Sequence, residues 1–261
     1  MGRQEQTNHL FSNRDLRILL VPLIVEQILN SLMGTADSIM VSNVGSAAIS
    51  AVSLVDSINI LVIQAFYALA AGGTIVCSQY IGQKDKKNAE ESARQLSFVV
   101  ACISSAVMAV CLLTRGPLLR LIFGSVEADV MEAAQIYFFY TALSFPFIAL
   151  YDAGSSIYRA QGNTRLPMTI AVVSNGLNIA GNAVLIWGFH LGVAGAAIAT
   201  LIARIVECVI IVVYVFRIDK KICFQVKDLF QKIDGEIFRI YLRYGAPVLC
   251  NEMLWSIGST M

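Results

Sequence analysis

The chain is a succession of long, nearly unbroken apolar stretches joined by short polar connections. Six of them, at 18–40, 49–76, 96–113, 134–153, 168–189 and 193–216, reach the about 20 residues that a helix needs to cross a hydrocarbon layer about 30 Å thick. A seventh opens near Tyr241 and runs to Met261. Strands of a membrane barrel alternate apolar and polar positions over about 10 residues. These runs are continuously apolar and about twice that length, so the pattern predicts helices. The expected architecture is an all-α polytopic membrane protein. A cytoplasmic arm (1–16) leads into a six-helix transmembrane lobe (17–216), a cytoplasmic amphipathic linker (217–239) and the start of a seventh transmembrane helix (240–261).

Composition agrees: 57% of the 261 residues are hydrophobic and 14% charged, against roughly 25% charged in soluble domains. A net charge of +1 gives no basic face for a nucleic-acid partner. Six cysteines form no CxxC pair, and most lie in apolar runs, where a thiol behaves as a small hydrophobe. The polar stretch 1–17 and the length of the run behind it predict no cleaved signal peptide.

Lysine and arginine set the expected orientation. The arm and the even-numbered connections hold 15 of them, whereas the third connection holds only Arg115 and Arg120. The positive-inside rule then places the N-terminus in the cytoplasm of a multi-pass cell-membrane protein. Two cytoplasmic segments, 85–95 and 226–239, have the spacing of amphipathic helices and are expected to lie at the lipid headgroups. The seventh run also echoes the first. With Pro247 set on Pro22, Leu254 falls on Leu29, Ser256 on Ser31 and Thr260 on Thr35. Six spans separate the copies, so the repeat is parallel, one of the two repeat classes of secondary transporters, and the chain reads as the first of two parallel pseudo-symmetric lobes.

Polar residues inside the spans carry the candidate chemistry, because an ionisable group there costs about 2.5–3.5 kcal/mol on insertion scales. Glu26, Asn30 and Asp37 return to nearly one face of the first helix, as do Asn175, Asn178 and Asn182 on the fifth. By helical rise Asn182 lies roughly 22 Å in from Pro167, and Thr200 roughly 10 Å below the outer end of the sixth span. Asp37 falls in the same outer half of the membrane. A carboxylate, two amide carbonyls and a hydroxyl suit a small hard cation, and protonation of Asp37 is the other way to neutralise it. Asparagines that merely bond neighbouring helices are the plainer alternative. Arg204 and Glu207, three apart, read as a structural intramembrane pair. Asp56 and Asp152 read as charges near span ends, and Gly181, Gly192, Gly195, Ala196, Ala197 and Ala199 as close-packing positions.

Four stretches together resemble the multidrug and toxic compound extrusion (MATE) family, over nearly all the chain from Leu16. They are PLIVEQILNSLMGTADSIMVSNVG, SQYIGQKDKKNAEESARQ, YRAQGNTRLPM and LNIAGNAVLIWGFHLGVAGAAIAT. The resemblance implies two six-helix lobes around a central cavity, with Na⁺ or H⁺ entering as an organic cation or other drug leaves, and no other cofactor. Asp37 matches the family's acidic residue in the first helix and Pro22 its proline. Asn178, Asn182 and Thr200 match the cation site of the fifth and sixth helices, and Glu252 resembles the acidic residue of the seventh. Glu26, Asn30 and Glu252 are the further transport-path candidates. Some members carry aspartate where Asn182 stands. Family members have about twelve helices, so the resemblance implies an incomplete chain that needs a C-terminal lobe or a second copy.

Three other readings are weaker or leave the chain inactive. A lipid-linked precursor flippase calls for a basic cavity, and Arg204 is the clear mid-span cation here. An intramembrane enzyme lacks HExxH, GxSxG or paired catalytic aspartates. His9 and His190 lie outside the spans. A non-transporting fragment is compatible with every residue.

Overall fold

The computed structural model describes residues 13–124, 126–218 and 235–260. Seven helices follow one another: α1 (Asn13–Val41), α2 (Ser46–Gly82), α3 (Lys86–Phe123), α4 (Ala128–Ala160), α5 (Arg165–Asn182), α6 (Gly192–Val213) and α7 (Gly235–Thr260). α5 continues into a π-helical turn, Ala183–Gly188, and α6 into another, Tyr214–Ile218. The first six, with their π turns, are long and apolar enough to cross a membrane. Among the first six spans, each lies within its helix except the fifth, which runs one residue past the π turn to Phe189. The helices otherwise extend past the apolar runs, because polar residues at the ends keep the helical hydrogen bonds going into the headgroup layer.

α4 is the central post and packs on α2, α3 and α6. α1 packs on α5, and α5 on α6. Only 17% of the apolar window of α1 is buried, against 50% for α4, so α1 borders open space along much of its length. Small residues allow the closest approaches, as a membrane bundle without a hydrophobic drive between helices requires. A Cβ on Gly181 would sit 3.1 Å from that of Ala199, and one on Gly195 would sit 3.0 Å from the backbone of Leu185. α7 meets α2 where Gly72 faces Gly245. A Cβ on Gly72 would come within 2.6 Å of the Gly245 Cα, and nearby the Tyr241 hydroxyl donates to the Leu69 carbonyl at 2.7 Å.

One of the two expected surface helices is not separate. Residues 86–95 are the opening turns of α3, started by Asp85, whose carboxylate accepts from the Asn88 amide at 3.2 Å. Ala89, Ser92, Ala93, Arg94 and Gln95 are buried, with Arg94 ion-paired to Glu91. Periodicity showed an amphipathic helix but not what its inner face meets: protein rather than lipid headgroups. Of the segment 226–239, the part to 234 lies outside the described residues, and the remainder opens α7.

Candidate functional site

Three helices converge on Asp37. α1 presents it near its C-terminal end, the last turn of α5 presents Asn178 and Asn182, and α6 presents Thr200. Asn182 Nδ2 donates to Asp37 Oδ1 at 2.5 Å, and Thr200 Oγ1 donates to Asp37 Oδ2 at 2.6 Å. Asn178 Nδ2 donates to Thr200 Oγ1 at 3.0 Å, and its own Oδ1 accepts from Asn182 at 3.4 Å. Asp37 is 1% exposed and both asparagines are fully buried. Among the described residues the carboxylate is held by neutral donors and by no direct ion pair. α5 widens into its π turn directly after Asn182, and such turns recur at functional sites.

The donor set fits a small cation. Both Asp37 oxygens, the Asn178 and Asn182 carbonyls and the Thr200 hydroxyl are hard oxygen ligands. Asn182 Oδ1 is buried and accepts no hydrogen bond among the described residues, so one ligand already stands without a partner. The third asparagine of that stripe, Asn175, instead donates to the Ala171 carbonyl of its own helix at 2.9 Å.

Asp37 and Thr200 also border a cavity of about 540 Å³, within the range of small-molecule sites. Asn30, Asp56, Asn59, Gln64, Tyr67, Tyr137, Phe145, Tyr151, Asp152 and Arg204 line it too, polar groups beside aromatic side chains that are mostly buried behind them. Glu26 does not line it. Its Oε1 takes a 2.6 Å ion pair from Arg159 of α4 and a 3.1 Å bond from the Tyr151 hydroxyl. Glu26 thus belongs to the helix-packing interior, and its position on the face of Asp37 was misleading: 11 residues of α1 separate the two by about 16 Å of helical rise. Arg204 and Glu207 pair at 2.9 Å, with Glu207 fully buried. Glu252 lies on α7, and its side chain is outside the described residues.

Sequence reasoning missed Asp56 and Asp152. Neither is a helix-end charge. Asp56 stands about 15 Å along α2 from Ser46, accepts from Asn59 Nδ2 and the Tyr137 hydroxyl, each at 3.4 Å, and lines the cavity. Asp152 is buried and lines it from α4. The apolar runs understate the true helices, so residues near run ends lie well inside the bundle.

The MatE family matches residues 22–184, more than half of the chain. The chain belongs to the MatE family. Members of this family are transporters, not enzymes, and the MatE chain, with its six apolar helices, is a multi-pass membrane protein. It is 32% identical to an uncharacterized transporter, YisQ, of Bacillus subtilis (strain 168), covering 97% of this chain and 54% of YisQ. It is 26% identical to a probable multidrug resistance protein, NorM, of Thermotoga maritima, over 95% of this chain and 53% of that protein. A MATE structure in the bent conformation superposes with a TM-score of 0.87 at 25% identity, over 94% of this chain and 54% of the other. A MOP superfamily transporter from Pyrococcus furiosus shares the fold, with a TM-score of 0.86 at 24% identity, over 95% of this chain and 54% of the other. The MatE chain spans about half the length of the curated relatives it matches.

Proposed function

We propose that this chain forms one lobe of a secondary transporter that exports small organic cations in exchange for Na⁺ or H⁺. The observation that carries the reading is the Asp37 carboxylate, held at 2.5 and 2.6 Å by Asn182 and Thr200 on the wall of the large cavity. A carboxylate buried among neutral donors favours whatever brings a positive charge to it, and both a proton and a sodium ion do so. In this reading Asp37, Asn178, Asn182 and Thr200 hold the coupling ion, and Asn30 faces the path of the transported molecule.

Exchange then follows from shared space. Asp37 contacts both the polar cluster and the cavity, so a cation at the cluster and a cationic molecule in the cavity compete for the same field. The 15 to 2 asymmetry of lysine and arginine supports an N-terminus in the cytoplasm. The matching lobe of the cavity comes from the remainder of a longer protein or from a second copy, in keeping with the half-length coverage of the relatives.

The test is Asp37→Asn in cells loaded with a fluorescent cationic dye. Export is expected to cease while the protein still inserts in the membrane at its normal level. Export at the unsubstituted rate would remove Asp37 from the mechanism.

A further inference from the structure

The cavity wall holds three aspartates, and they are not equivalent. Asp37 is engaged by Asn182 and Thr200, and Asp56 by Asn59 and Tyr137. Asp152 lines the same cavity and is 7% exposed, yet its Oδ2 is buried with no hydrogen-bond partner among the described residues. Two arginines, Arg159 and Arg204, are near enough to act on it through their field. Each is already bonded to another acid, Arg159 to Glu26 and Arg204 to Glu207. Three carboxylates, Glu26, Glu207 and Asp152, therefore face two guanidinium groups, and Asp152 is the one left without an ion-pair partner among the described residues. An unpaired carboxylate deep in a bundle is retained at a cost unless a partner arrives.

The arriving group enters from the cavity, the side on which Asp152 is reached. Half-buried Tyr67 shares that wall with Arg159 over its ring at 5.6 Å, and the buried Tyr137, Phe145 and Tyr151 pack behind it. We propose that Asp152 is the specificity residue of this cavity, taking the protonated amine of the transported molecule as its ion-pair partner, apart from the cluster around Asp37. Arg204 holds the site in register: it lines the cavity beside Asp152, and its bond to Glu207 keeps it from closing on the free carboxylate. The inference rests on the exporter reading for its ligand. Its test is equilibrium binding, which requires no coupling ion to move.

The experiment uses the purified full chain in lipid nanodiscs and two fluorescent probes, monodansylcadaverine, which carries a primary ammonium, and its neutral N-acetyl derivative. The unsubstituted protein is expected to prefer the ammonium by about tenfold, the size of effect that one well-placed charge gives. Asp152→Asn removes the preference while the neutral probe binds as before, which shows that the cavity is still folded. Asp152→Glu restores part of it. A preference that survives Asp152→Asn, or that is absent from the unsubstituted protein, overturns the proposal. None of these results alters the outcome of the Asp37→Asn export test, so the two readings fail separately.

Discussion

Thr200 Oγ1 donates to Asp37 Oδ2 at 2.6 Å, joining α6 to α1 across 163 positions of chain. The same hydroxyl accepts from Asn178 at 3.0 Å, so it relays between the amide pair of α5 and the carboxylate. A hydrogen bond to a charged group contributes about 1.5–3 kcal/mol. Thr200→Val, which keeps the shape and removes the hydroxyl, is expected to lower ion-coupled export by about tenfold or more, and Thr200→Ser to keep most of it. Dye export at equal membrane expression checks this, and equal rates for Val and Ser would show that the hydroxyl plays no part.

The Glu26–Arg159 pair fastens α1 to α4, with Tyr151 bonding both Glu26 and the Pro167 carbonyl at 3.1 Å. Removing one partner leaves a buried charge alone, which costs about 3–5 kcal/mol. Glu26→Gln and Arg159→Met should each lower the melting temperature in detergent clearly. The double variant should recover much of the loss, because no bare charge remains. Two losses that simply add would mean that the ion pair does not couple the helices.

At Gly72 the added methyl of alanine meets the backbone of Gly245, which cannot swing away as a side chain would. Gly72→Ala is expected to push α7 from α2 and to cost about 1–3 kcal/mol, the usual range for overpacking. Gly34, whose added Cβ meets nothing within 4 Å, is the control, and Gly34→Ala should melt like the unsubstituted chain. Equal melting of the two variants would mean that α7 is not seated against α2 at this contact.

The helices were legible in the sequence because membrane crossing leaves a one-dimensional mark: a continuous apolar run of fixed length, ended by charge. Stripe periodicity also brought Asp37, Asn178 and Asn182 to inward faces, since residues about a turn apart share a side of a helix. Depth along the spans grouped Thr200 with them, and the resemblance pointed to the same positions. What the stripes could not carry was distance between helices. Glu26 and Asp37 share a face of α1, yet one is sealed in an ion pair and the other borders the cavity. Asp56 and Asp152 looked like helix-end charges because the apolar runs stop short of the helices that contain them.

Sequence alone determined that this chain is a bundle of membrane-crossing helices with polar stripes turned inward, because hydropathy and helical period are local properties of consecutive residues. The spacing already gave the Arg204–Glu207 pair; the tertiary structure alone decided that Arg159 pairs with Glu26 and that, among the described residues, Asp152 is paired with neither arginine. The reason is physical. Arg159 lies 133 positions from Glu26 and reaches it only through the packing of α1 on the bundle. Small residues at the helix contacts set that packing, and no run of neighbouring residues encodes it.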